Sequence, residues 1–276
     1  MSSGFSVTQA LKAAVAFLPR AWAGAWLVLL LMVAAMFGLP LLMMHHQLPL
    51  MAFPVVLMTV LVILKIVAQG ALYRLALFGH DARAEGLGFG GVQFGRPEWR
   101  LLWAAVFVSL FILMIVTAVS IVFAIAFSMS GLAAGYDSSF AAVYALIKRH
   151  SGADYIFIVY LIAALFFLVF LSLKLVLVPV ANIGGRKFVT LNALGLTTGS
   201  VGRLCLGLLT LVVPFFAIGL AVARYSGVDL HRGGQADGGT IALHIGLLVL
   251  AIFGLFPLIV GFLTSAYRQI MAIRSK

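Results

Sequence analysis

The sequence predicts an all-α, polytopic membrane protein with six transmembrane helices arranged as three hairpins, together with cytoplasmic interfacial helices. Of its 276 residues, 64% are hydrophobic and only 9% are charged, and the mean hydropathy is +1.21. Six runs are each long enough to cross a bilayer, which requires about 20 mostly apolar residues. No long stretch alternates apolar and polar residues as the strands of a membrane barrel do.

Most of the six apolar runs have a feature that bears on their structure. The first is too long for a removable signal peptide and turns directly into the second, so both are predicted to be spans. The third exceeds one crossing and is expected to tilt or to extend into water. Pro214 and Pro257 lie within the fifth and sixth runs and are expected to kink them. The predicted spans are Trp22–Met44, Leu50–Tyr73, Trp99–Met129, Tyr155–Val180, Gly202–Ala223 and Thr240–Tyr267.

Two stretches outside the spans have the pattern of interfacial helices. The one before the first span places Phe5, Ala10, Leu11, Val15 and Leu18 on one helical face. The one before the fifth span matches it in part, through Phe188, Ala193, Leu194 and Arg203. An internal duplication and a shared physical demand both account for this similarity. Before the third span, Pro97 and Glu98 suit the start of a helix.

The basic residues predict the orientation, because Lys and Arg accumulate in cytoplasmic loops. One set of segments carries Lys12, Arg20, Arg74, Arg83, Arg96, Arg100, Arg186, Lys187, Arg203, Arg268, Arg274 and Lys276. The opposite set carries only Lys148, Arg149, Arg224 and Arg232. Both termini are therefore predicted to be cytoplasmic. The chain is predicted to be a single domain, 1–276, with hairpin units of about 1–78, 79–186 and 187–276.

The net charge of +11 does not predict nucleic-acid binding, because the basic residues are divided among short loops around the spans. No motif for a phosphate loop, a catalytic nucleophile or a dinucleotide cofactor is present, so no cofactor and no catalytic residue are predicted. The glycine-rich stretch Gly86–Gly91 is interpreted as a flexible loop. All seven acidic residues are expected outside the spans, which argues against ion-coupled transport and against hydrolysis within the bundle.

Five of the six histidines fall on the side predicted to be periplasmic. They are His45, His46, His150, His231 and His244. Because all three hairpins contribute, the imidazoles could converge on copper or zinc. The alternative is that interfacial loops favour amphipathic side chains, of which histidine is one.

Two lysines lie inside predicted spans. Lys65 lies in the second span with Gln69 one helical turn later, and Lys174 lies in the fourth. Both are expected in the cytoplasmic half of the bilayer, where long stems let the ammonium groups reach the headgroups. The alternative is that Lys65, Gln69 and Lys174 hold one anionic ligand, for which a lipid phosphate is the candidate.

The stretch Leu191–Val213 carries a resemblance to a known group. Leu196, Thr197, Thr198 and Gly199 form a "Leu-Thr-x-Gly" element followed by Arg203, with Gly195 where the group often has tryptophan. This region resembles bacterial inner-membrane proteins that include the YciC-like proteins and the membrane domain found beside glycerophosphodiester phosphodiesterases. The resemblance implies a multi-pass protein of the bacterial inner membrane and supplies no catalytic residues.

Three functions follow as hypotheses. The first is a non-enzymatic membrane scaffold or accessory protein that binds anionic lipid, a protein partner or a second copy of the chain. The second is a passive transporter or export factor for an amphipathic or anionic molecule, which the kinked spans and the lysine pair would suit. The third is a membrane enzyme, which the expected lack of carboxylates in the spans disfavours.

Overall fold

Helices make up all the regular structure in the described part of the chain. The computed structural model describes residues 5–45, 52–129, 152–225 and 238–275. The α-helices are α1 (Val7–His45), α2 (Ala52–Phe78), α3 (Arg96–Met129), α4 (Gly152–Leu175), α5 (Val178–Gly184), α6 (Val201–Tyr225), α7 (Gly238–Leu250) and α8 (Phe256–Arg274). Three 3₁₀ turns, Gly79–Ala82, Phe89–Gly91 and Leu191–Gly195, and a π-helical turn, Ala251–Leu255, complete the described elements.

Six helical segments in the described ranges are long and apolar enough to cross a membrane, which confirms the predicted all-α, polytopic fold class, while the arrangement as three hairpins stays a prediction. At most 33% of the residues in the most apolar window of any segment are buried inside the protein, and in the third segment none are. A soluble protein would not leave so much apolar surface uncovered. The chain is an integral, multi-pass membrane protein, and lipid covers these faces.

The stretch predicted as a separate interfacial helix is the first half of α1. The helix is continuous from Val7 to His45, with a kink at Ala25, where φ is −124° and ψ is 16°. The fully buried residues Ala10, Ala14 and Ala21 lie on one side of this half. Because these side chains are small, α8 approaches closely: a Cβ on Gly261 would lie 3.0 Å from Ala14 Cα. This half therefore packs against protein on that side, whereas the prediction gave its apolar face to the membrane interface.

Two spans are broken, and in each a side chain from a distant part of the chain donates a hydrogen bond to a carbonyl near the break. The fourth span is divided between α4 and α5, and Thr197 Oγ1 donates to Lys174 O at 3.2 Å. The sixth span is divided by the π-helical turn, and Trp22 Nε1 donates to Phe253 O at 2.7 Å. Pro257, expected to kink this span, is the second residue of α8, which begins immediately after the turn. These donors lower the cost of breaking a helix inside lipid.

The stretch before α6 differs from the predicted helix. Only the turn Leu191–Gly195 is helical before α6 begins at Val201. Gly199 has φ of +80°, which ends any continuous helix here. The "Leu-Thr-x-Gly" element thus supplies a turn with a glycine in the left-handed region and the buried hydroxyl of Thr197 that supports the break in the fourth span.

Both described chain ends and two connecting segments meet at one end of the bundle, which we call the terminal face. Ser6 N donates to Gln269 Oε1 at 2.8 Å, which joins the beginning of α1 to α8. Arg203 Nη1 donates to Phe5 O at 3.3 Å, and Arg274 donates to Gly195 O. The segment 79–95 joins the segment 185–200 through the ion pair of Glu85 with Arg186.

Candidate anion-binding site

A buried ion pair anchors the connection between α2 and α3 at the terminal face. Arg74 Nη1 lies 2.7 Å from Glu98 Oε1, and the side chains are only 4% and 0% exposed. Glu98 Oε2 accepts a hydrogen bond from Gly95 N at 2.9 Å, and Gln93 Nε2 donates to Glu98 Oε1 at 3.4 Å. Because the carboxylate has a cation and two further donors, its burial is compensated. This pair fixes the end of the segment 79–95 against the bundle.

Glycine makes room for this ion pair. A Cβ on Gly70 would lie 2.6 Å from Glu98 Oε1. Any larger residue at position 70 would therefore displace the carboxylate. Glu98 lies in the first turn of α3, where the sequence predicted the start of a helix, and its side chain is fully buried. The ion pair with Arg74 gives Glu98 a structural role rather than that of a proton carrier.

The end of the glycine-rich stretch packs against α1 and α2. Gly90 has φ of +59° and its α-carbon faces Leu27, since a Cβ there would lie 2.4 Å from Leu27 Cβ. Gly91 has φ of +83°, and a Cβ there would lie 3.0 Å from Ala25 Cα and 3.1 Å from Ala71 Cβ. Two glycines in the left-handed region bring this segment onto α1 and α2 beside the kink. The segment thereby becomes one wall of a cleft.

Two adjoining clefts flank α1 at the terminal face. The first, called the α8 cleft, has a volume of about 240 Å³ and is lined by α1, α2 and α8, including Phe17, Arg20, Leu75, Gly261, Ser265 and Arg268. The second, called the loop cleft, has a volume of about 390 Å³ and is lined by α1, α2 and the segment 79–87, including Arg20, Gly24, Leu75, His80, Arg83 and Leu87. Arg20 and Leu75 line both clefts.

The clefts are basic, and no aspartate or glutamate lines either of them. Several other arginines of the terminal face have protein partners: Arg74 with Glu98, Arg186 with Glu85, Arg203 with Phe5 O, and Arg274 with Gly195 O. In the described ranges the guanidinium groups of Arg20 and Arg83 make neither a hydrogen bond nor an ion pair. Arg268 donates to Leu77 O but keeps its charge unpaired. These cations can therefore bind an external anion.

The three residues predicted to hold a lipid phosphate occupy different surroundings. Lys65 is exposed on α2. Gln69, one turn later, is half-buried and lines a third cleft of about 260 Å³ between α2, α3, α4, α5 and α8. Lys174 is half-buried, and its Nζ lies 5.4 Å from the centre of the Phe170 ring, at cation–π distance. That the two lysines share a ligand stays a prediction.

The predicted metal ligands lie almost entirely outside the described side chains. The side chain of His45 and the whole of His46, His150 and His231 fall outside them, whereas His244 is exposed in the second turn of α7. Among the described residues, no three histidine, cysteine, aspartate or glutamate side chains form a group that could hold a metal ion. Metal binding by the five histidines stays a prediction.

Comparison with known proteins finds no family model, no curated protein and no solved structure that matches the chain. The resemblance to the YciC-like group stays a prediction as well. The arginine clefts were missed by sequence reasoning, which used Arg20, Arg83 and Arg268 only to orient the chain. The available signal was limited to Arg20 and Arg268, since neither has an aspartate or glutamate within four residues, whereas Arg83 lies between Asp81 and Glu85.

Proposed function

We propose that the chain is a non-enzymatic, integral inner-membrane protein that binds anionic lipid at its terminal face. The observation that carries this proposal is the pair of clefts, where Arg20 and Arg83 have no internal partner and no carboxylate lines the walls. Guanidinium groups match phosphate geometry, and basic pockets between spans favour lipid headgroups. The apolar residues that line the same clefts, Phe17, Leu75 and Leu87, suit the beginning of an acyl chain.

Copurified lipid tests this proposal directly. The chain is purified from membranes in a mild detergent, and its bound lipids are counted by native mass spectrometry. Each basic residue near a membrane surface contributes about 1 kcal/mol to anionic-lipid binding. The double variant Arg20→Gln, Arg83→Gln should therefore bind anionic lipid roughly 30-fold more weakly.

A matched control separates a site from general surface attraction. The double variant Lys12→Gln, Arg96→Gln removes the same charge from exposed residues that line neither cleft. This control variant should bind as much anionic lipid as the wild type. Equal loss in both double variants would contradict a lipid site in the clefts.

The proposed orientation places the terminal face in the cytoplasm of a bacterium, where anionic lipids give the leaflet a negative potential. The excess of basic residues on this face supports it, as does the resemblance to bacterial inner-membrane proteins. A reporter fused at Gly88 should respond as cytoplasmic and one fused at Gly234 as periplasmic. A cytoplasmic response at Gly234 would overturn the proposed topology.

The lysine pair is proposed as a second, separable lipid contact. If Lys65 and Lys174 share one phosphate, Lys65→Gln and Lys174→Gln should each lose most of that lipid, and the double variant should lose little more. Gln69→Leu should weaken the same binding. Unchanged lipid adducts in all the variants would mean that each lysine only reaches its own headgroup region.

Passive transport is a second candidate function, favoured by the cleft that Gln69 lines. This cleft lies beside both helix breaks, because Val176 and Pro179 line it from the fourth span and Phe256 lines it from the sixth. Broken helices around a cleft within the membrane are typical of transporters. Its polar lining residues are Gln69, Tyr73 and Ser172.

A flux assay decides between the two candidates. Proteoliposomes containing a fluorescent short-chain phosphatidylglycerol are treated with an external quencher that does not cross the bilayer. Transport predicts faster loss of the inner-leaflet signal than in protein-free liposomes, and Gln69→Leu should slow it. Identical rates with and without the protein would exclude this candidate and leave the binding proposal standing.

A further inference from the structure

The two basic clefts are subsites around one shared arginine. Arg20 lines both of them, while Arg268 lines only the α8 cleft and Arg83 with His80 lines only the loop cleft. Each cleft therefore has one arginine of its own, and the two clefts share Arg20. A guanidinium has five N–H donors on a planar fork, so its two edges can each bond to a different anion.

The charges of the clefts exceed what one phosphate neutralises. Three guanidinium groups line them together, and no carboxylate does. Asp81, beside His80 in the turn Gly79–Ala82, is exposed and lines neither cleft. A ligand with a single negative charge would leave two of the three arginine charges unmatched. A ligand with two negative charges, one in each cleft, gives both subsites an anion.

Two separate anions each lose translational and rotational freedom on binding, whereas two covalently linked anions lose it only once. Once one group is bound, the linker holds the other at a high effective concentration, provided that it spans the two subsites. The clefts adjoin at Arg20 and Leu75, so a short linker is sufficient. The apolar side chain of Leu75 lines both clefts. Phe17 adds apolar surface to the α8 cleft, and Leu87 adds it to the loop cleft.

We infer that the two clefts together bind one lipid with two phosphate groups, a diphosphatidylglycerol-type lipid, with Arg20 between the phosphates. This inference rests on the proposed function, since it specifies the lipid class for the same site. One phosphate lies between Arg20 and Arg268, and the other lies between Arg20 and Arg83. His80 lines the loop cleft beside Arg83 and faces the same phosphate.

The test compares two lipids at equal total phosphate. The full chain is reconstituted in nanodiscs of phosphatidylcholine that contain either diphosphatidylglycerol or phosphatidylglycerol, and retained lipid is measured by native mass spectrometry. The wild type should retain one diphosphatidylglycerol per chain, with a preference of at least about tenfold per phosphate over phosphatidylglycerol. Arg83→Gln and Arg268→Gln should each abolish this preference, whereas Arg20→Gln should weaken retention of both lipids. Arg83→Lys and Arg268→Lys retain the charge and should retain most of the preference.

The outcomes separate this inference from the proposed function. Two molecules of phosphatidylglycerol bound as well as one diphosphatidylglycerol would overturn the two-phosphate inference and leave anionic-lipid binding intact. A tenfold preference that survives in both Arg83→Gln and Arg268→Gln would overturn it too. Retention of neither anionic lipid above phosphatidylcholine would overturn both proposals. If a glutamine variant does not yield a monodisperse chain, the wild-type comparison of the two lipids decides alone.

Discussion

Replacing Glu98 by glutamine tests whether the buried ion pair organises the terminal face. Glutamine has nearly the same shape and can still accept the hydrogen bond from Gly95 N. The charge is lost, however, and Arg74 stays buried with its side chain only 4% exposed. Removing one partner of a buried pair costs about 3–5 kcal/mol, because the remaining charge is uncompensated.

The matched control is Glu85→Gln, the same chemical change in the ion pair with Arg186. The side chains of Arg186 and Glu85 are 66% and 30% exposed, so breaking that pair should cost only about 0–1 kcal/mol. Equilibrium unfolding in mixed micelles with increasing SDS measures both variants against the wild type. Equal stabilities of Glu98→Gln and Glu85→Gln would refute the reasoning that burial gives the first pair its importance.

A further double variant separates the pair's charge from its packing. Replacing both members of a buried pair with apolar residues of similar size is often neutral, since no unpaired charge remains. Arg74→Met with Glu98→Leu should therefore be more stable than Glu98→Gln alone. Lower stability of the double variant would mean that the hydrogen bonds of Glu98 to Gly95 and Gln93 matter more than the charge.

Three more predictions concern close packing and the two helix breaks. Gly70→Ala should destabilise the protein, because the added Cβ would lie 2.6 Å from the buried carboxylate of Glu98. Gly219→Ala, where the added Cβ has no heavy atom within 4 Å, should be neutral or stabilising. Equal SDS unfolding midpoints of the two variants would contradict this. Thr197→Val should lower the unfolding free energy by about 1–3 kcal/mol, because the Lys174 carbonyl at the end of α4 loses its donor. Thr198→Val, at an exposed position, should lower it much less. A larger loss for Thr198→Val in the same unfolding assay would contradict this prediction. Trp22→Phe should lower the unfolding free energy by about 1 kcal/mol, because the π-helical turn loses the donor to Phe253 O. Backbone amides in that turn should then exchange hydrogen faster. Unchanged exchange would mean that the turn is stable without the indole.

The spans could be predicted from the sequence because their signal is local. Apolar length alone identifies a helix in lipid, where the backbone must satisfy its own hydrogen bonds. A kink in the sixth span at Pro257 was also predicted, since proline cannot donate a backbone hydrogen bond. The π-helical turn before it was not, because its stability depends on Trp22 from the other end of the chain.

The site depends on contacts between residues that are distant in sequence, which explains why it was missed. Arg20 meets Arg268 in one cleft because α1 packs closely on α8, and that approach requires the small residues Ala14 and Gly261. Arg83 lines the loop cleft together with Arg20 because the segment 79–95 folds back onto α1 and α2. Neither approach has a periodic signal in the sequence. The same reason accounts for Glu98, whose burial requires the space at Gly70.

The most direct measurement of the central claim is site-specific capture of lipid in the native membrane. A photoreactive amino acid at Ala23, which lines the loop cleft, is compared with one at Leu165 on the lipid-exposed surface of α4. After illumination, mass spectrometry identifies the lipid attached at each position. The account predicts that adducts at Ala23 are enriched in phosphate-bearing anionic lipid over the composition of the membrane, and that Arg20→Gln with Arg83→Gln removes the enrichment. Adducts at Ala23 with the same composition as those at Leu165 would contradict it.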